Sequence, residues 1–171
     1  MDKYIPDTHI CWVEYKCLCC GQLPPDFYID KKTKEIGFVY QMLFSCYEQI
    51  LGAQDGEILI SRGYSCTKHH LYLYLDRLRR LHAPLTKEKI LDIIKDKTST
   101  PYSTHIFGLA LDLLPPPANI PRIVKIAKEV VPKLRTGYKG YENNVHPHIH
   151  IDLGYKMYPR FSKHLRAGAE W

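Results

Sequence analysis

The segment VHPHIHIDLGY, residues 145–155, places histidines at alternate positions and an aspartate in the same phase. An extended strand turns successive side chains to opposite faces. In that conformation His146, His148, His150 and Asp152 share one face, while Ile149, Ile151 and Leu153 share the other. The apolar trio fits a face pressed on a core. A solvent-facing strand more often carries Thr, Lys or Glu, so a face of imidazoles needs a metal or a reason to hold protons.

A second segment, STHIFGLALDL at 103–113, carries His105, Gly108, Ala110 and Asp112. Ala110 and Asp112 fall on one strand face, and the small alanine leaves room beside the carboxylate. Gly108 permits a backbone geometry that brings His105 round to the same place. A His, an Asp and a second strand bearing His form a borderline-soft set of nitrogen and oxygen ligands. Three protein ligands with an open fourth position are the arrangement of a catalytic zinc rather than a closed structural one.

The elements that must position these residues follow from periodicity. Val39, Met42, Leu43, Cys46 and Ile50 mark a helix at about 36–51, stopped by GAQDG, and EILISRGY reads as a strand. Leu71, Leu75, Leu78 and Leu81 mark a second helix near 68–82 with a basic outer face, and Thr86 caps a third running to about Lys95. HIFGLALDLL reads as a strand stopped by three prolines. From Asn119 an amphipathic helix carries Ile123, Ile126, Ala127 and Val130 in phase, and the loop RTGYKGYENN leads to the histidine strand. Helices and strands mix without regular alternation. The expected class is α+β, a small and largely antiparallel sheet with helices packed around it.

A chain of 171 residues suits a single domain, 1–171, with a cysteine-containing N-terminal segment to about 35 and a basic tail from about 156. With 45% apolar and 25% charged residues the composition is that of a globular protein, and no apolar run reaches membrane-spanning length. The N-terminus shows no apolar signal core, so a protein cytoplasmic as synthesised is expected. Net charge is +6, from 24 basic against 18 acidic residues, which suits an anionic polymer without specifying nucleic acid. A nucleic-acid binder would use the basic helix and tail, but a solvated face explains DRLRR and no nucleic-acid motif occurs. Six cysteines without a secretory signal are expected to be reduced. The cluster CLCC offers soft ligands but lacks a second Cys/His pair at finger-like spacing, so buried thiols are the expectation there.

S-x-H-x-x-G-x-A-x-D followed by H-x-H-x-D-x-G closely resembles the zinc D-Ala-D-Ala carboxypeptidase family of murein peptidases, peptidase family M15, whose wider group includes lysostaphin-type endopeptidases and the hedgehog signalling domain. WVEYKCLCCG is similar to that family's E-x-x-C-x-C segment, and ISRGYSCTKHH to its I-T-S-G-Y-R-S-x-x-H-N, so the match runs in order from about residue 12 to 155. The resemblance implies a hedgehog- and D-Ala-D-Ala-peptidase-like fold. It makes His105, Asp112 and His150 the zinc ligands and puts His148 beside the metal's water. His146 has no counterpart. Asp152 has the phase to hydrogen-bond a ligand imidazole, and Ser103 falls on the motif, where the resemblance implies that it orients the turn or the water.

Two departures bear on substrate binding and catalysis. The family's G-Y-R-S arginine, expected to hold a substrate carboxylate, falls on Ser65. Arg62 lies three residues earlier and replaces it only if the chain turns. The glutamate that some branches place just before the last ligand is missing from NVHP, and Glu142 lies farther back. The segment between GYS and STH is also longer than usual. By resemblance the protein is a zinc metallopeptidase of peptidoglycan stem peptides, of the carboxypeptidase or murein endopeptidase type. His148 accepts the water's proton or donates to the oxyanion, with Glu142 the weaker base candidate. A phage-type member reaches the wall through a holin-type or lysis route, and a monomer is the favoured state. The alternative is a catalytically inactive, hedgehog-like zinc module that binds a wall peptide or a protein.

Overall fold

A computed structural model of the chain describes residues 3–30, 36–54, 57–99, 103–138 and 148–154. In chain order its elements are α1 (Trp12–Tyr15), α2 (Phe38–Gly52), β1 (Leu59–Arg62), α3 (Thr67–Arg80), α4 (Lys87–Ser99), β2 (Ala110–Leu114), α5 (Ile120–Val130), β3 (Arg135–Gly137) and β4 (Ile149–Asp152). The fold is α+β. Four strands pair antiparallel in the order β1-β2-β4-β3, with helices around them.

The sheet has one apolar and one polar face, as alternation dictates. Ile60, Leu111, Leu113, Ile149 and Ile151 belong to the buried core cluster with Leu43, Phe44 and Ile50 of α2 and Ile123 and Ala127 of α5. On the opposite face, Asp112 pairs with Arg62 on one side and with His150 on the other, and His150 in turn with Gly137. The next row is Ala110, Asp152 and Arg135. Both expected helices at 36–51 and 68–82 form within two residues of their expected ends, and the amide of Lys89 donates to the capping hydroxyl of Thr86 at 3.2 Å.

Two elements differ from expectation, and a third goes beyond it. HIFGLALDLL is not one strand: Thr104–Phe107 is a 3-10 turn, Gly108 takes a left-handed conformation (φ 68°), and β2 begins only at Ala110. Gly108 therefore reverses the chain so that His105 folds back over the strand bearing Asp112. A Cβ there would lie 2.2 Å from Pro24 Cγ and 2.6 Å from the Tyr15 hydroxyl, so both backbone angle and space require glycine. The start of the loop RTGYKGYENN is β3, a three-residue strand too short to show a pattern. WVEY forms the short helix α1, which brings Tyr15 into the core.

Tyr15 ties three segments together. Its hydroxyl donates to the Gly108 carbonyl at 2.6 Å, its carbonyl accepts from the Tyr64 amide at 2.7 Å, and its ring meets Phe44 edge-on. Gly63 passes so close that a Cβ would lie 2.7 Å from the Tyr15 Cα. Among the described residues no helix is long and apolar enough to cross a membrane.

Candidate metal centre

Asp112 and His150 are cross-strand partners on β2 and β4, and the 3-10 turn drops His105 beside them. His105 Nε2 lies 3.2 Å from Asp112 Oδ1 and 3.1 Å from His150 Nδ1, and His150 Nδ1 lies 2.8 Å from the same oxygen. All three residues are buried.

The outer partners decide what these atoms offer each other. His105 Nδ1 lies 2.6 Å from the Gly63 carbonyl, which only accepts, so Nδ1 carries the hydrogen and Nε2 a lone pair. His150 Nε2 lies 2.9 Å from Asp152 Oδ2, so Nε2–H donates to the carboxylate and the neutral ring turns its Nδ1 lone pair inward. Two nitrogen lone pairs and a carboxylate oxygen thus face one point, an arrangement that demands a positive charge. A proton on His150 is one answer and a divalent cation the other. Ligand bonds of about 2.0–2.2 Å in a tetrahedron would space the donors by roughly 3.3 Å, within a few tenths of an ångström of two of the three separations and about half an ångström from the shortest. The residues fit a zinc ion.

The electrostatics follow from burial and pairing. Burial lowers His105 to about 4 against the pull of Asp112. Burial also disfavours the charged form of His150, but hydrogen bonds to Asp112 and Asp152 outweigh it and raise the ring to about 9. Asp112 resists its own burial through the two imidazoles and stays well below the usual carboxylate range. Asp152 is wholly buried and likewise lowered, because His150, Arg135 and the Gly154 amide overcome its desolvation. Arg135 Nη2 reaches Asp152 Oδ2 at 3.0 Å, and the Gly154 amide donates to Oδ1 at 2.8 Å.

The other sequence candidates are placed as follows. Arg62 follows an irregularity in the β1–β2 register after Ile60, and its Nε ion-pairs with Asp112 Oδ2 at 2.9 Å. It lies on the same face of the sheet as Asp112 and His150 and is a quarter exposed. Ser65 is fully buried, its amide donates to the His105 carbonyl at 3.0 Å, and its hydroxyl has no hydrogen-bond partner among the described residues. Ser103 precedes the 3-10 turn; its carbonyl accepts from the Ile106 amide, and its side chain makes no cap bond. His148, just before β4, is half-buried and does not join the convergent group. Glu142 and His146 lie outside the described residues, as does the basic tail.

Sequence reasoning missed Arg135, Gly63 and Tyr15, which act through backbone or pairing contacts that only the fold creates. The thiol expectation needs correcting. Cys19 and Cys20 are exposed rather than buried, and Cys66, distant in sequence, joins them and Cys17 in one group. A cysteine at the entrance of a predicted helix was the available signal. No protein-family model, curated protein or solved structure matches this chain.

Proposed function

We propose that the protein is a zinc metallopeptidase that hydrolyses peptidoglycan stem peptides, of the D-Ala-D-Ala carboxypeptidase or murein endopeptidase type. One observation carries this reading. The buried ring nitrogens of His105 and His150 converge with Asp112 in the motif order that resembles the murein peptidases. Bound by these three residues, zinc supplies a Lewis acid and a water acidified to a pKa of about 7.

The chain's own groups do the rest. Gly63 and Asp152 hold the two imidazoles in the tautomers that present lone pairs, and Arg62 orients Asp112 through the second carboxylate oxygen. Arg62 uses Nε for that pair, and its Nη nitrogens are offered to a substrate carboxylate in place of the arginine replaced by Ser65. His148, in strand phase with His150, takes the proton of the attacking water or donates to the oxyanion as imidazolium, and Glu142 is the second candidate base. The water oxygen bonds to the scissile carbonyl carbon, the C–N bond breaks, and the proton taken from the water passes to the leaving amine.

The test is peptide release from purified peptidoglycan by zinc-loaded protein, by chelated protein and by chelated protein given zinc again. Release that chelation abolishes and zinc restores is expected. Zinc-loaded protein that binds the wall peptide without cleaving it would favour the inactive hedgehog-like module.

A further inference from the structure

Cys17, Cys19 and Cys20 follow α1, and Cys66 precedes α3. Their four sulfurs all lie within 4.8 Å of one another, with Cys17 and Cys19 at 3.7 Å and Cys19 and Cys66 at 3.4 Å. All four are unbridged. Apolar burial does not gather them, because Cys19 and Cys20 face solvent.

We propose that Cys17, Cys19, Cys20 and Cys66 hold a second zinc ion in a closed, structural four-thiolate site. With zinc–sulfur bonds of about 2.3 Å, a tetrahedron spaces its sulfurs by roughly 3.8 Å, close to the separations here. Four cysteines complete the coordination and leave no open position, unlike the His/Asp centre.

The backbone around the cluster is arranged for sulfur carrying negative charge. The Cys66 amide donates to Cys17 Sγ at 3.3 Å, and the His69 amide to Cys66 Sγ at 3.4 Å. Cys66 is the N-cap of the fourteen-residue α3, so the positive end of that helix faces its sulfur. The His69 ring stands 3.6 Å from Cys17 Sγ. The loop 17–22 closes on itself through Gly21 N to Cys17 O at 2.7 Å and Cys17 N to Gln22 O at 2.9 Å, with Gly21 at φ 67°. This tight loop presents three sulfurs from four consecutive residues.

The position gives the site its use. Residues 63–65, just before Cys66, supply the Gly63 carbonyl and Ser65 amide that hold His105. The cluster joins that segment to the loop after Tyr15, so a metal there braces the support of the first centre. The second site stands on its own geometry and does not depend on peptidase activity.

Cobalt(II) substitution separates the two centres, because four thiolates give an intense near-ultraviolet charge-transfer band that His and Asp ligands lack. Cobalt-loaded protein is expected to show that band, Cys20→Ser to lose about a quarter of its intensity with one of four thiolates gone, and His105→Ala/His150→Ala to keep it in full. Elemental analysis should find about one zinc per chain in the His105→Ala/His150→Ala protein, the content of a single closed site. Should the double histidine variant not fold, the comparison of wild type with Cys20→Ser decides alone. Absence of the band in wild type, with all four thiols reacting freely or a Cys19–Cys66 disulfide in mass spectra, would overturn the proposal.

Discussion

Asp152 and Arg135 form a buried ion pair at 3.0 Å, and the same Asp152 oxygen lies 2.9 Å from His150 Nε2. They face each other across β3 and β4, and neither is appreciably exposed. Removing one partner leaves a buried charge uncompensated, which costs about 3–5 kcal/mol. Asp152→Ala and Arg135→Met are each expected to lower the denaturation midpoint by that order. The double variant should be less destabilised than the sum of the two, and additive losses in the double-mutant cycle would show that the pair is not coupled.

The same carboxylate faces His150 Nε2 at 2.9 Å, so its loss is expected to weaken binding at the proposed zinc site. Asp152→Asn keeps an acceptor but loses the charge, and zinc affinity is expected to fall about 10–100-fold. Competition against a chromophoric chelator measures this. Unchanged affinity would mean that the His150 ring is oriented by other contacts.

Two glycines make opposite predictions. Gly108 has φ 68° and no room for a Cβ, so Gly108→Ala should cost more than the roughly 1–2 kcal/mol of a left-handed residue alone. Gly52, at the end of α2, has an ordinary φ and open space within 4 Å of where an added Cβ would stand, so Gly52→Ala should be neutral or stabilise by up to about 1 kcal/mol. Urea denaturation of the two variants tests both, and equal midpoints would refute the reversal at Gly108.

His148 separates ligation from catalysis. On an extended strand it lies about 6.5–7 Å from His150 along the chain and on the same side, so an H-x-H chelate is sterically permitted. The convergent group contains His150 and not His148. His148→Ala is therefore expected to keep its zinc and lose roughly 10²–10⁴ in peptide-release rate. Loss of zinc would make His148 a ligand, and full activity would move the search for the base to Glu142.

The legible part of this site was its periodicity. Alternation in HIHID put His150 and Asp152 on one face, and the small Ala110 and Gly108 pointed to the turn that brings His105 in. Pairing partners were not legible, because register is set by packing between strands distant in the chain. Hence Arg135, on a three-residue strand without pattern, gave no hint that it neutralises Asp152. Arg62 was ambiguous for a related reason: strand phase alone cannot show the irregular register after Ile60 that accompanies its pairing with Asp112. Cys66 was overlooked as a partner of CLCC because the two meet only when α1 packs on β1 and brings the loop after it to Cys66.

Metal content reads out directly whether His105, Asp112 and His150 together hold one zinc, as proposed. Elemental analysis of wild type, His105→Ala, Asp112→Ala and His150→Ala, after dialysis against a weak chelator, compares them as folded proteins. Each variant is expected to contain about one zinc per chain fewer than wild type, the stoichiometry of a mononuclear site. Zinc content equal to that of wild type in all three folded variants would contradict the account.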